Sequence, residues 1–151
     1  MELHPVKLRY KDIFGKEMIE HSTVKKAVMF ESCIFMNNGN GTFKIYKLPV
    51  EAQFSPVRDI LVKDIDKDGK PDLVLVGNDY AVRFSYGRYD ASYGWFLTVD
   101  STGKFKTMIP VESGLIIKGD ARKILPIKVS GKHYIVVAIN NGELQVFQIL
   151  K

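Results

Sequence analysis

The sequence predicts an all-β protein of short antiparallel strands, and three observations carry that prediction. Short apolar runs recur from about Ala27 to Leu150, separated by Gly, Asn, Asp, Ser and Pro. Asn-Gly pairs stand at Asn38-Gly39, Asn40-Gly41 and Asn141-Gly142, where they can supply the positive φ that tight hairpins need. A stretch of roughly sixty residues is repeated about twice, which is the mark of a modular β architecture.

The elements follow in order. Residues 1-26 form an N-terminal helical or extended segment: Ile13, Phe14, Met18 and Ile19 suit a short helix within Tyr10 to Ser22, with Asp12 near its start and Gly15 as a weak point. Residues 27-151 form the β module. Its predicted strands are Val28 to Met36, Phe43 to Leu48, Val57 to Lys63, Leu73 to Val76 and Ala81 to Tyr86 in the first half. Gly94 to Val99, Phe105 to Ile109, Arg122 to Val129, Tyr134 to Ile139 and Leu144 to Leu150 follow in the second. The connections are too short for the helical crossovers of a parallel sheet, so antiparallel pairing is expected throughout.

The repeat appears once the turns are aligned. Phe35 to Phe43 matches Leu97 to Phe105, with both the Gly and the Phe displaced by 62 residues. Arg58-Asp-Ile60-Leu61 matches Arg122-Lys-Ile124-Leu125, and Asp72 to Asn78 matches Tyr134 to Asn140. Four short strands per unit have the form of a propeller blade, so the chain reads as a partial β-propeller of about two four-stranded antiparallel blades. About two blades cannot close a ring. The expectation is a part of a longer chain, a homo-oligomer, or a sheet capped by the N-terminal segment.

One loop carries the clearest chemistry. In Asp64-Ile-Asp66-Lys-Asp68-Gly69-Lys70-Pro-Asp72, carboxylates stand at the first, third, fifth and ninth places, and Gly69 permits the sharp bend. Alternate side chains of a tight loop can point inward, and clustered carboxylates repel unless a hard cation sits among them. Calcium accepts about 6 to 8 oxygens in flexible geometry, and the Lys70 carbonyl can add one. With no His or Cys in the loop, zinc and copper are disfavoured. The loop begins like an EF-hand, but its twelfth place is Leu75 inside a β run instead of a bidentate Glu. Its counterpart in the second unit, Val129-Ser-Gly-Lys-His133, has lost every carboxylate and should bind no ion.

Composition narrows the remaining classes. Net charge is +5, but Lys and Arg are scattered without a dense run, which reads as a basic solvated surface with no nucleic-acid partner. The lone Cys33 in an apolar run reads as a small buried hydrophobe and permits no disulfide framework. No apolar stretch approaches the ~18 to 20 residues that span a bilayer, so membrane insertion is not expected. The N-terminal Met-Glu-Leu-His-Pro-Val-Lys lacks the apolar core of an export signal, which would then sit on a portion outside this sequence. No Gly-rich loop opens a helix after a strand, against nucleotide binding.

The aspartate loop followed by a hydrophobic strand resembles the FG-GAP or VCBS repeat, the blade unit of integrin-α-like propellers. Asn37 to Phe43 is similar to the hairpin that precedes such loops. Glu51 to Val57, Gly87 to Gly94 and Glu112 to Leu115 resemble the C-terminal part of long VCBS-repeat proteins of Bacteroidetes type. The resemblance implies that Asp64, Asp66, Asp68 and Asp72 carry calcium with the Lys70 carbonyl assisting. It also implies an extracellular or cell-envelope setting, secretion, and a role in cell adhesion or in binding a protein or a glycan.

The expected function is therefore a non-enzymatic calcium-binding scaffold. Asp90 and Ser92 beside Arg88 and Tyr89, and His133 in a later turn, are the nearest catalytic candidates, but no nucleophile pairs with a base at a recognisable spacing. His4 and His21 read as surface residues. A second expectation is lectin-like glycan binding by aromatic loop residues, with Arg88, Tyr89, Asp90 and Tyr93 as contacts and Tyr80, Phe84, Tyr86 and Trp95 nearby. Core packing is the plainer account of those rings. An accessory domain of a larger secreted enzyme is a further alternative.

Overall fold

A computed structural model describes residues 8–83, 85 and 87–150. The chain divides into two compact units between Phe30 and Glu31.

In the first unit the expected single helix is two short ones, α1 (Tyr10–Ile13) and α2 (Lys16–Glu20). Phe14 and Gly15 both take extended backbone angles, so the helical hydrogen-bond ladder cannot run through. Asp12 does sit at the start of α1, where its carboxylate accepts the Arg9 N–H at 2.8 Å.

The second unit is β-rich and, among the described residues, contains three antiparallel sheets and no closed barrel. Its strands are β1 (Cys33–Asn37), β2 (Phe43–Lys47), β3 (Val57–Lys63), β4 (Asp72–Gly77), β5 (Trp95–Val99), β6 (Phe105–Met108), β7 (Ala121–Val129), β8 (Lys132–Ile139) and β9 (Gln145–Gln148). The sheets are β1-β2, β3-β4-β5-β6 and β7-β8-β9. A 3-10 turn (Val50–Gln53) and a helical turn α3 (Pro110–Ser113) complete the unit. The two equal four-stranded groups expected from the sequence are thus one sheet of four, one of three and one of two.

Two predicted strands change for identifiable reasons. β1 begins at Cys33 instead of Val28, because its register with β2 ends at Cys33 opposite Lys47. One further bond joins Leu48 N–H to the Ser32 carbonyl before Pro49, which has no N–H to give. The predicted strand Ala81 to Tyr86 is absent over the described residues Ala81 to Arg83 and Ser85; Phe84 and Tyr86 lie outside them, as does His4. There the Asp79 carboxylate accepts the Ala81 N–H and bends the chain, and an isolated bridge joins Asp79 to Tyr89.

The pairing registers recur along the chain. Asn37 pairs with Phe43 and Ile34 with Tyr46; Val99 pairs with Phe105 and Phe96 with Met108 in the same order. Gly41 and Gly103 hold the same positive φ, near +80°, at the ends of the two turns. In β3-β4 the register shifts between Val57 and Asp59, and in β7-β8 it shifts between Ala121 and Lys123.

The three sheets stack as layers. One core joins β3–β6 to β7–β9 through Leu61, Val74, Val76 and Phe96 against Ile124, Ile135 and Val137. A second joins the opposite face of β3–β6, through Leu73, Leu75 and Leu97, to Ile34, Leu48 and Ala52 of the first layer. Because β4 is covered on both faces, it reads as a continuous apolar run without alternation, and all six of its residues are buried.

Candidate metal site

The aspartate loop is the connection between β3 and β4. Its two ends are fixed by the strand pair, with Lys63 opposite Asp72, so the residues between must turn within a short span. Lys67 at φ +65° and Gly69 at φ +86° make that turn. The carboxylates are used as local acceptors: Asp66 Oδ1 takes the Asp68 N–H at 3.1 Å, and Asp64 Oδ2 takes the Gly69 N–H at 3.1 Å.

Asp72 is the centre of the arrangement. It is the first residue of β4 and is 1% exposed, an unusual place for a carboxylate. Its Oδ2 accepts N–H groups from Ile65 at 2.8 Å and Asp66 at 3.3 Å, which folds the start of the loop back over the strand end. Burial pushes its pKa up. The N–H groups of Ile65 and Asp66 oppose that shift, the charges of Asp66 and Asp68 reinforce it, and the net direction is upward.

The structure brings Asp64, Asp66 and Asp72 together, with one carboxylate oxygen of each lying within 4.8 Å of the others. Asp68 stands apart and faces Lys70: its Oδ1 accepts the Lys70 N–H at 2.8 Å, and its Oδ2 lies 3.8 Å from the Lys70 ammonium. That ammonium also reaches the carbonyls of Val99 and Asp100, at 3.3 and 3.2 Å, tying the loop to the β5-β6 turn. A buried, charge-repelled carboxylate beside two solvent-facing ones can hold a metal ion, and an all-oxygen donor set suits a hard cation.

The second candidate group, Arg88, Tyr89, Asp90 and Tyr93, lies in the loop between β4 and β5. Tyr89 and Tyr93 are about half exposed, and Asp90 is exposed. The Arg88 guanidinium stacks over Tyr80, 4.7 Å from the ring centre. Trp95 is half-buried and packs edge-on against Phe54, with ring centres 6.0 Å apart. Ser92 is buried: its hydroxyl accepts the Gly94 N–H at 3.1 Å, and its own N–H and carbonyl bond the Asn78 side chain. These contacts give Ser92 a structural role. His133 lies among Lys63, Lys128 and Lys67, and desolvation together with those cations holds its imidazole below the usual range.

Several important residues carried little sequence signal. Asn78, at φ +95°, accepts bonds from Ser55 and Ser92 and donates to the carbonyls of Ser92 and Gly119, so one buried amide joins four segments. Asp59 accepts the Ile124 N–H at 2.9 Å and the Lys123 ammonium at 3.0 Å, linking the second and third layers. Buried Asp120 pairs with Arg122 at 2.6 Å and with Asn140 at 3.1 Å. A charged residue just before or inside an apolar run was the only available hint for the two carboxylates. No protein-family model, no curated protein and no solved structure matches this chain.

Proposed function

We propose that the protein is a calcium-binding β-repeat module of the VCBS or FG-GAP kind, a non-enzymatic scaffold that presents a surface for adhesion or ligand binding. One observation carries this reading. Three carboxylates of a nine-residue D-x-D-x-D-G-x-x-D loop converge within 4.8 Å, and one of them, Asp72, is buried. Retaining a buried anion beside two others is costly unless a cation offsets the charge. Calcium fits better than magnesium because the donors sit on a flexible loop and can wrap a large ion. Asp68 and the Lys70 carbonyl would complete the shell by a small rotation of the loop.

Repeated pairing registers support the blade reading: two hairpins of identical register, displaced by 62 residues, precede two strand pairs that bulge at matching places. The bound ion would order the turn and couple β3 to β4, leaving covalent chemistry to other proteins. By the family resemblance, the setting is extracellular or at the cell envelope, and the partner is a protein or a glycan. The half-exposed rings of Tyr89 and Tyr93, in the loop whose Arg88 stacks over Tyr80, are the observation that favours a glycan.

Calorimetric titration of the chelator-treated protein with calcium tests the reading. One ion per chain is expected, with Asp66→Ala weakening the affinity at least tenfold. No heat, or unchanged affinity in the variant, would overturn it.

A further inference from the structure

We infer that a cleft between the β3–β6 and β7–β9 sheets binds an amphiphilic organic anion, its apolar body seated between the sheets and its carboxylate or phosphate head held by lysines at the mouth. The two sheets are joined through β3 and β7, where Leu61 and Ile124 belong to one core. Between β4-β5 and β8-β9 a cleft of about 610 Å³ remains, with Val74, Phe96, Leu115, Ile135 and Phe147 in its lining. Protein interiors pack densely, with few voids larger than a water molecule. A space of this size is instead that of a small-molecule site, for which apolar walls and a few placed charged groups are the usual form.

The charged groups stand at one end. A second cavity, of about 360 Å³, adjoins the first, because Ile65, Gln148, Ile149 and Leu150 line both. Its lining also includes Lys63 at the end of β3, Lys67 in the aspartate loop, and Lys132 and His133 at the start of β8, with Asp64 beside them. Desolvation and the charges of Lys63, Lys128 and Lys67 hold the His133 imidazole below its usual range, so Lys128 lies close to the same group. Among the described residues Lys63, Lys67, Lys128 and Lys132 form no ion pair, whereas Lys47, Lys70 and Lys123 each do. The neighbouring loop does not supply the missing charge: Asp66 and Asp72 converge with Asp64, and Asp68 faces Lys70. Two hairpin ends thus hold several like charges against one cavity, and an anionic head relieves their repulsion through charge-assisted hydrogen bonds. Ammonium groups act as point charges and accept a carboxylate or a phosphate alike. All of these residues belong to the Glu31–Lys151 unit.

This inference goes beyond the ion reading and needs no calcium. The test is calorimetric titration of the full chain in chelator, which also prevents calcium soaps, with decanoate, decyl phosphate, decanol and acetate. One decanoate or decyl phosphate per chain is expected, and the tighter of the two assigns the head. Decanol has the tail alone and acetate the head alone, and each should bind about tenfold more weakly or worse, the factor one charge-assisted hydrogen bond supplies. Lys132→Glu should weaken decanoate by about tenfold and leave decanol unchanged. Ile149→Trp, which adds bulk where the two cavities adjoin, should weaken both. Lys63→Gln and Gln148→Trp replace these variants should either disturb the far-UV circular dichroism. Uptake of neither anion, decanol binding as tightly as decanoate, or unchanged decanoate affinity in the lysine variants would overturn the proposal. Calcium uptake without decanoate uptake would sink this inference and leave the ion site standing, and the converse result would do the opposite.

Discussion

Replacing Asp72 by Asn separates the work of the ion from the work of the strand. The wild-type carboxylate is almost fully buried, and burial with the nearby Asp66 and Asp68 charges raises its pKa. An amide oxygen still accepts the N–H groups of Ile65 and Asp66 but carries no charge. Without calcium, Asp72→Asn should therefore unfold at the wild-type midpoint or above it. With calcium at a hundredfold excess over its dissociation constant, wild type should gain about 2.7 kcal/mol by mass action. A chain of this size shifts by roughly 3 °C per kcal/mol, so the wild-type midpoint should rise by about 8 °C. The variant should barely respond, and the order of the two proteins should reverse between chelator and calcium. Acidification adds a signed check. A carboxyl whose folded-state pKa is raised contributes stability below its unfolded value and loses it as pH rises through the folded one. In chelator, the advantage of the variant should shrink as pH falls into the usual carboxylate range. Thermal unfolding followed by circular dichroism reads all of these quantities. Equal calcium increments in both proteins would refute the ligand role of Asp72, and a variant weaker than wild type in chelator would refute the charge-burial argument.

Substitutions at three further positions probe the layers. Asp59→Ala leaves the Ile124 N–H without its partner and should cost about 1–3 kcal/mol in urea unfolding. Desolvation pushes the Asp59 pKa up, but the Ile124 N–H and the Lys123 ammonium outweigh it, and the net direction is down. The contribution of Asp59 should be present above its unfolded pKa and fade as pH falls through the folded one, narrowing the gap between wild type and Asp59→Asn. Gly77→Ala places a Cβ 1.7 Å from the Pro56 carbonyl oxygen, a backbone atom that cannot turn aside, and should cost about 3 kcal/mol or more in the same assay. Asn78→Asp turns a donor to the Ser92 and Gly119 carbonyls into a charged acceptor, and should cost about 2 kcal/mol or more in urea unfolding.

The strands were legible where local pattern and tertiary demand coincide. Val57 to Lys63 emerges with the boundaries its sequence predicts, because turn residues bracket an apolar run that one layer face requires. The β1-β2 and β5-β6 hairpins follow from Gly41 and Gly103, whose positive φ sets register directly. Val28 to Met36 and Ala81 to Tyr86 misled because a strand needs a partner at the right distance, and partners are a property of the whole fold. Pro49 and the Asp79 side chain decided those two segments. In the aspartate loop, spacing identified the inward-facing carboxylates Asp64, Asp66 and Asp72. It did not reveal that Asp68 would turn toward Lys70, whose ammonium is anchored by carbonyls at Val99 and Asp100, far along the chain.

The hairpin β7-β8 supplies a built-in control for what an ion at the aspartate loop can do. It pairs Ile124 with Val137 as β3-β4 pairs Ile60 with Leu75, and it carries the corresponding register shift near its start. Yet it closes through Ser130 and Gly131 alone, both at positive φ and with no carboxylate between the strands. Such a turn matches the twist of the strands and needs no cation. The register of this strand pair is therefore set by burial of alternate side chains against neighbouring layers, and a metal is not required to produce it. An ion held between β3 and β4 would act instead on the loop, where Asp72 already recruits two N–H groups and holds the chain partly folded around the carboxylates. Such preorganisation lowers the ordering cost of binding. Removal of calcium should accordingly loosen residues 64 to 71 and lower the unfolding midpoint, while the strand pairing on either side stays in place.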